Sequence, residues 1–239
     1  MSKVVFVTGA NKGLGLGLVQ LMLKRDYTVF AGTRSVPASA LEQLKLGYPE
    51  NLEIVEIDVA DDQSVASAKQ FISSKTNKID WLFNNAAVLG DIQETLFDPL
   101  NFAGMMDVYN TNTLGPLRVS NAFVSLVLNS VSKLIVNISS EAGSINECHR
   151  VNQFAYTMSK AALNMQSKLV HNQLAEDGGR VLTLHPGWVK TYMQGKLDEA
   201  ATLTPEESAR GILQVAEDYE ASAESRALFL DYLGQEMAW

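Results

Sequence analysis

The chain is 239 residues long and 46% hydrophobic, with a formal net charge of −8 and no block of Lys or Arg. An acidic chain without a basic stripe is a poor candidate for binding nucleic acid or an anionic membrane. Its single cysteine, Cys148, leaves no partner for an internal disulfide. No stretch approaches the roughly 20 apolar residues of a membrane helix, and Met1-Ser2-Lys3 leads into an apolar run, Val4-Val5-Phe6-Val7, too short for a signal-peptide core. A cytoplasmic protein is expected.

In chain order, short apolar runs at 4–7, 28–31, 52–57, 81–83, 134–138, 181–184 and 227–230 predict strands. Most lack polar alternation, as suits strands covered on both faces. Between them the spacing predicts helices near 14–25, 39–46, 62–75, 102–131, 153–175 and 205–217. The last opens on Thr204-Pro205-Glu206-Glu207, a capping box with Pro at the first helical position. Repeated strand–helix alternation implies right-handed βαβ units and a doubly wound α/β fold. No linker or composition break interrupts it. The expectation is one Rossmann-type domain, 1–239, with a parallel sheet of about seven strands and helices on both faces. Ligands of such sheets bind beyond the carboxyl ends of the strands, so those ends are read for chemistry.

The first strand ends in Thr8-Gly9-Ala10-Asn11-Lys12-Gly13-Leu14-Gly15 and a helix follows at once. Glycines here let the backbone turn sharply and approach a pyrophosphate, which the helix N-terminus then receives. The spacing is G-x-x-x-G-x-G. The second strand ends in Thr33-Arg34, where a site for an unphosphorylated ribose would place an acid. Arg34 suits a 2′-phosphate and Lys12 offers a second cation, so the pair points to NADPH. Asp58-Val59 closes the third strand, where a carboxylate can accept from an adenine amino group. Asn84-Asn85-Ala86-Ala87 closes the fourth with small residues that let backbone lie against a ribose.

The fifth strand ends in Ser139-Ser140, and the next helix carries Tyr156 and Lys160, four residues apart on one face. An ammonium beside a phenol is expected to bring its pKa down from about 10 toward the working range. Tyr156 would then protonate a carbonyl oxygen as hydride reaches the carbon, with Ser140 holding that oxygen. A second Y-x-x-x-K, Tyr192 to Lys196, has a glycine inside it and no serine-bearing strand end ahead, and reads as a loop.

Together these residues resemble the short-chain dehydrogenase/reductase family over essentially the whole chain. The matches are T-G-x-x-x-G-x-G at Thr8, N-N-A at Asn84, N-x-x-G at Asn112, then Ser140, Tyr156, Lys160 and Pro186-Gly187 in the family's order. The resemblance implies a tetrad of Asn112, Ser140, Tyr156 and Lys160, with Asn112 holding a water linked to Lys160. It implies cofactor contacts from Gly9, Asn11, Lys12, Gly13, Leu14, Gly15, Thr33, Arg34, Asp58, Val59, Asn85 and Ala86. Tyr156, Lys160, Pro186, Gly187, Val189 and Thr191 complete that set. The segment 203–209 and the ending at Trp239 resemble the sniffer-type carbonyl reductases and C-factor proteins. Two departures stand out: Ala87 replaces a common Gly, and the loop between Ser140 and Tyr156 is long.

His149, His171 and His185 have no metal-site spacing, and no metal is expected. Trp188, Met193 and Phe154 are candidates for an apolar pocket or for plain core. The segment 102–131, with Phe123, Leu126 and Val127, is a candidate interface for a homodimer or homotetramer. The leading expectation is an NADPH-dependent carbonyl reductase acting on small aldehydes, ketones or quinones. The alternative is an NADPH-binding signalling or regulatory protein with little turnover. A sugar-nucleotide epimerase fits less well, lacking its glycine spacing and longer C-terminal lobe.

Overall fold

A computed structural model describes residues 2–193 and 195–239. Seven strands run β1 (Val4–Val7), β2 (Thr28–Thr33), β3 (Leu52–Glu56), β4 (Trp81–Asn84), β5 (Leu134–Ile138), β6 (Arg180–His185) and β7 (Leu228–Asp231). They form one all-parallel sheet in the order β3-β2-β1-β4-β5-β6-β7. The chain leaves β1 toward β2 on one side and returns to β4 on the other, so a crevice opens between their carboxyl ends.

Successive side chains of each strand face opposite layers. Val5, Val7, Trp81, Phe83, Leu134 and Val136 pack on α1 (Gly13–Leu23), α2 (Ser39–Gly47) and α7 (Pro205–Ala221). Phe6, Leu82 and Ile135 face the other way, onto α3 (Asp62–Lys75) and α5 (Gly115–Leu128). The capping box of α7 forms as expected, Thr204 accepting from the Glu207 backbone and Glu207 from that of Thr204.

The predicted helix 102–131 is three pieces: α4 (Phe102–Tyr109), a π-helical turn (Asn110–Leu114) and α5. Phe123, Leu126 and Val127 lie in this chain's own core, with at most 7% exposed. They are therefore not interface residues, because the same stripe that reads as a contact face is the one the sheet covers. The helix α6 (Phe154–Leu174) begins after Gln153, whose φ is 63°. Among the described residues no helix is long and apolar enough to cross a membrane.

Candidate active site

The carboxyl ends of β1 to β6 open on a cavity of about 1090 Å3. That slightly exceeds the roughly 300–1,000 Å3 of ordinary ligand pockets and leaves room for an elongated ligand.

At one end the wall is largely backbone. Gly9 has φ +66, and a Cβ there would lie 2.8 Å from Ala86 Cα, so only glycine fits between β1 and the loop after β4. Thr8 Oγ1 accepts from the backbone N–H of Asn85 at 3.0 Å and of Ala86 at 3.1 Å. Asn85 Nδ2 donates back to the carbonyls of Thr8 and Gly9, at 2.9 and 3.1 Å. These bonds sew the two loops together. Asn11, Lys12, Gly13, Leu14 and Gly15 line the cavity where α1 begins, and Gly13 also has a positive φ, +54°. No acid occupies the first turn of α1, so its N–H groups and partial positive charge face the cavity uncancelled.

Lys12 and Arg34 are exposed at this rim, and neither makes an ion pair among the described residues. Thr33 departs from the expectation. It is buried, and its hydroxyl is turned onto the backbone of Ser35, so it does not line the cavity. Asp58, Val59, Asn85 and Ala86 do line it. Asp58 Oδ1 accepts from Ala60 N–H at 2.9 Å, leaving its other oxygen without a protein partner among the described residues. Two uncommitted cations, an open helix N-terminus and a half-free carboxylate fit a phosphorylated dinucleotide.

At the other end the wall is made of side chains. Ser140, Tyr156 and Lys160 line it, brought together because β5 ends where α6 begins to pack back on the sheet. Ser139 spends its hydroxyl on Asn164 Oδ1 at 2.6 Å, so Ser140 is the serine beside Tyr156. Lys160, 2% exposed, donates to the carbonyl of Ile138 at 2.8 Å and stands 5.7 Å from the centre of the Tyr156 ring.

The expected direction of the tyrosine pKa is corrected here. Burial pushes the Tyr156 phenol up to about 12, against a lowering hydrogen bond from Ser140 and with further raising by the charge of Glu141. Burial alone brings Lys160 down to about 8. Desolvation wins because the ammonium is spent on a carbonyl at the end of β5 instead of on the phenol oxygen.

Asn112 does not line the cavity. It sits fully buried on the π-helical turn, accepting from Val88 N–H and donating to Val88 O, each at 2.8 Å, and to Ser159 Oγ at 3.0 Å. Its side chain ties the loop after β4 to α6. Losing it would strand buried polar groups, at about 1–3 kcal/mol each.

Pro186, Gly187, Val189 and Thr191 line the cavity after β6. Trp188, Tyr192 and Met193 join them, whereas Phe154 does not. Trp188 Nε1 donates to Asp198 Oδ2 at 2.9 Å, which braces this loop. Of the second Y-x-x-x-K, Tyr192 and Lys196 lie in the loop and Gln194 falls outside the described residues. His171 is buried, accepting from Val181 N–H and bonding the Ser225 carbonyl.

Among the wall residues given no chemical role from the sequence are Glu141, Arg150 and His185, Arg150 being read only as part of the long loop after Ser140. Glu141 Oε2 accepts from the Ser140 hydroxyl at 2.6 Å, and its other oxygen pairs with Arg150. His185 Nδ1 accepts from Glu141 N–H at 3.2 Å. Burial lowers the His185 pKa, so the ring is neutral and its 3.2 Å approach to Glu141 Oε2 is not an ion pair at neutral pH. The carboxyl of Glu141 lies below its usual range: burial opposes this, but Ser140, His185 and Arg150 together outweigh it. An acid next to the serine was the only signal, and one charge in a polar loop is no signal by itself.

The sequence model of the short chain dehydrogenases matches residues 3–202. The NADPH-bound carbonyl reductase from chicken fatty liver is 35% identical, with a TM-score of 0.89 over 100% of this chain and 99% of that one. The carbonyl reductase Sniffer of D. melanogaster is 27% identical, with a TM-score of 0.89 over 100% of both chains. C-signal of Myxococcus xanthus is 36% identical over 164 residues, covering 69% of this chain and 95% of that protein. With a family model matched over most of its length and the same seven-stranded sheet, the chain belongs to the short-chain dehydrogenase family.

Proposed function

We propose that this protein is an NADPH-dependent carbonyl reductase for small aldehydes, ketones or quinones. The observation that carries the reading is a single cavity with two uncommitted cations at one end and a serine–tyrosine–lysine cluster at the other. NADPH, when bound, supplies the hydride that reduces the carbonyl carbon. The glycine turn and the α1 N-terminus would hold its pyrophosphate, and Lys12 and Arg34 its 2′-phosphate. Asp58 and Val59 would flank the adenine. Asn85, Ala86, Pro186, Gly187, Val189 and Thr191 would line the remaining length.

Tyr156 gives its phenolic proton to the carbonyl oxygen. Burial holds the Tyr156 phenol near 12, so it carries its proton at neutral pH and can give it up as negative charge develops on the substrate oxygen. Lys160, bonded to the Ile138 carbonyl, stands beside the Tyr156 ring and would keep a positive charge at that end of the wall. Ser140 and the buried Asn112 position these groups.

The likeness to C-signal keeps a second reading, a regulatory protein that holds NADPH with little turnover. The packed cluster of Ser140, Tyr156 and Lys160 favours the reductase, since a holder of NADPH needs no proton donor. The test is oxidation of NADPH by a panel of aldehydes, ketones and quinones, with NADH in parallel and alcohol products quantified. The reductase reading expects turnover with NADPH. Tight NADPH binding without turnover on any member of the panel would favour the regulatory reading.

A further inference from the structure

Around Tyr156 the cavity is lined by two carboxylates, Glu141 and Asp198, and by two cations, Arg150 and Lys160. With two charges of each sign, an incoming group is sorted by the hydrogen bonds that individual side chains still have to offer. Both carboxylates are already bonded, Glu141 by Arg150 and Asp198 by Trp188 Nε1 at 2.9 Å. Lys160 is committed to the Ile138 carbonyl at 2.8 Å. Ser140 and Tyr156 are taken up by the carbonyl oxygen in the reductase reading.

Arg150 differs. A guanidinium carries five N–H donors in a planar fork. Arg150, half-buried, gives one from Nη2 to Glu141 Oε1, and among the described residues its Nε and Nη1 have no protein acceptor. Its charge is near enough to be felt at the Tyr156 phenol. Three residues on, the same loop ends at Gln153, which also lines the cavity and makes no side-chain hydrogen bond to the helix it precedes. Gln153 holds φ 63°, a left-handed conformation that costs a residue other than glycine, and such positions gather at ligand sites. A carboxylate is the group whose two oxygens match a guanidinium fork. Carried a short way from a ketone, it can rest on Arg150 while the carbonyl oxygen accepts from Tyr156.

We propose that Arg150, assisted by the carboxamide of Gln153, is a binding site for a substrate carboxylate, so that the preferred substrates are short oxo acids. This deepens the reductase reading and rests on it. Both residues determine specificity, with no part in the hydride or proton transfer itself. Glu141 holds the guanidinium in the wall from one side and leaves its remaining donors to the ligand. A site built to bond a polar group discriminates against an analogue lacking it, because its own groups are then left unpaired.

The test uses pyruvate, acetoacetate and levulinate, each beside its methyl ester, which keeps the ketone and removes the charge. Dissociation constants from the protein loaded with oxidised cofactor are measured by isothermal titration calorimetry, and turnover with NADPH alongside. The wild type is expected to bind at least one acid about tenfold or more tighter than its ester, the effect of a hydrogen bond between charged groups. In Arg150→Met that ratio falls to near one while the ester's affinity stays within about threefold. Arg150→Lys, which keeps the charge and loses the fork, retains part of the preference, and Gln153→Ala loses a smaller part. The double variant Glu141→Gln, Arg150→Met should show the same loss as Arg150→Met. Acids bound no tighter than their esters in all three pairs, or a ratio unchanged in Arg150→Met, would overturn the inference. Recovery of the ratio in the double variant would do so too, because the loss would then come from the uncovered charge of Glu141. Absence of turnover on every acid and ester would count against the reductase reading instead, while the binding ratios still decide the role of Arg150.

Discussion

The two ends of the cavity are built from different materials. At the end nearest α1 the wall is mostly backbone: a glycine turn, an open helix N-terminus and two loops joined through Thr8 and Asn85. At the far end it is side chains drawn from β5, the loop after it, α6 and the loop after β6. Backbone geometry tolerates few residues, so it is written locally in the sequence. Side chains meeting from four segments are not. The first end can serve any ligand with a pyrophosphate, and the second decides which molecule reacts.

That division explains what was legible. The sheet, its strand positions and both helical layers follow from apolar runs and helical spacing, since burial on two faces leaves no other pattern. Gly9, Gly13, Gly15, Ser140, Tyr156 and Lys160 were readable because a strand end or one helical turn fixes each of them. Thr33 misled, because a hydroxyl at a strand end can turn onto its own loop, as it does onto Ser35. The lowering of the tyrosine pKa by Lys160 failed because it depends on where an ammonium points and on how much water both groups lose. Glu141 with Arg150 needed the path of the loop 141–153, and local periodicity is silent on that.

Three substitutions probe the contrast. The largest effect is expected at the side-chain end. Tyr156→Phe removes the proton donor and should lower turnover by about 10²–10⁴-fold, leaving NADPH affinity within about twofold. A variant that also loses NADPH would mean the two ends are not separable.

At the backbone end, Arg34→Asp places a carboxylate where a 2′-phosphate would lie. The ratio of kcat/KM for NADPH over NADH should fall by about 10–100-fold, mainly through KM for the cofactor. An unchanged ratio would remove Arg34 from phosphate recognition.

The smallest effect concerns stability. Lys160 titrates near 10.5 when unfolded and near 8 in its buried position. Between those values the unfolded chain binds more protons, so the stability of the wild type rises with pH. Below pH 8 the cost of burying the charge is fully present. Lys160→Met should therefore be more stable than the wild type at pH 7 by about 1–2 kcal/mol, less whatever the bond to Ile138 returns. Denaturant unfolding at several pH values should show that gap closing as pH rises from 8 toward 10.5. A gap independent of pH would show that the ammonium carries no such burden.

The most direct test of the central claim is a single turnover. Protein preloaded with one equivalent of NADPH is mixed with the most reactive carbonyl compound of the panel, and loss of the reduced cofactor is followed against time. Rapid loss is expected, with one equivalent of alcohol formed, slowed at least about 100-fold in preloaded Tyr156→Phe. Equal rates in the two proteins, or NADPH that stays reduced in the wild type, would contradict it.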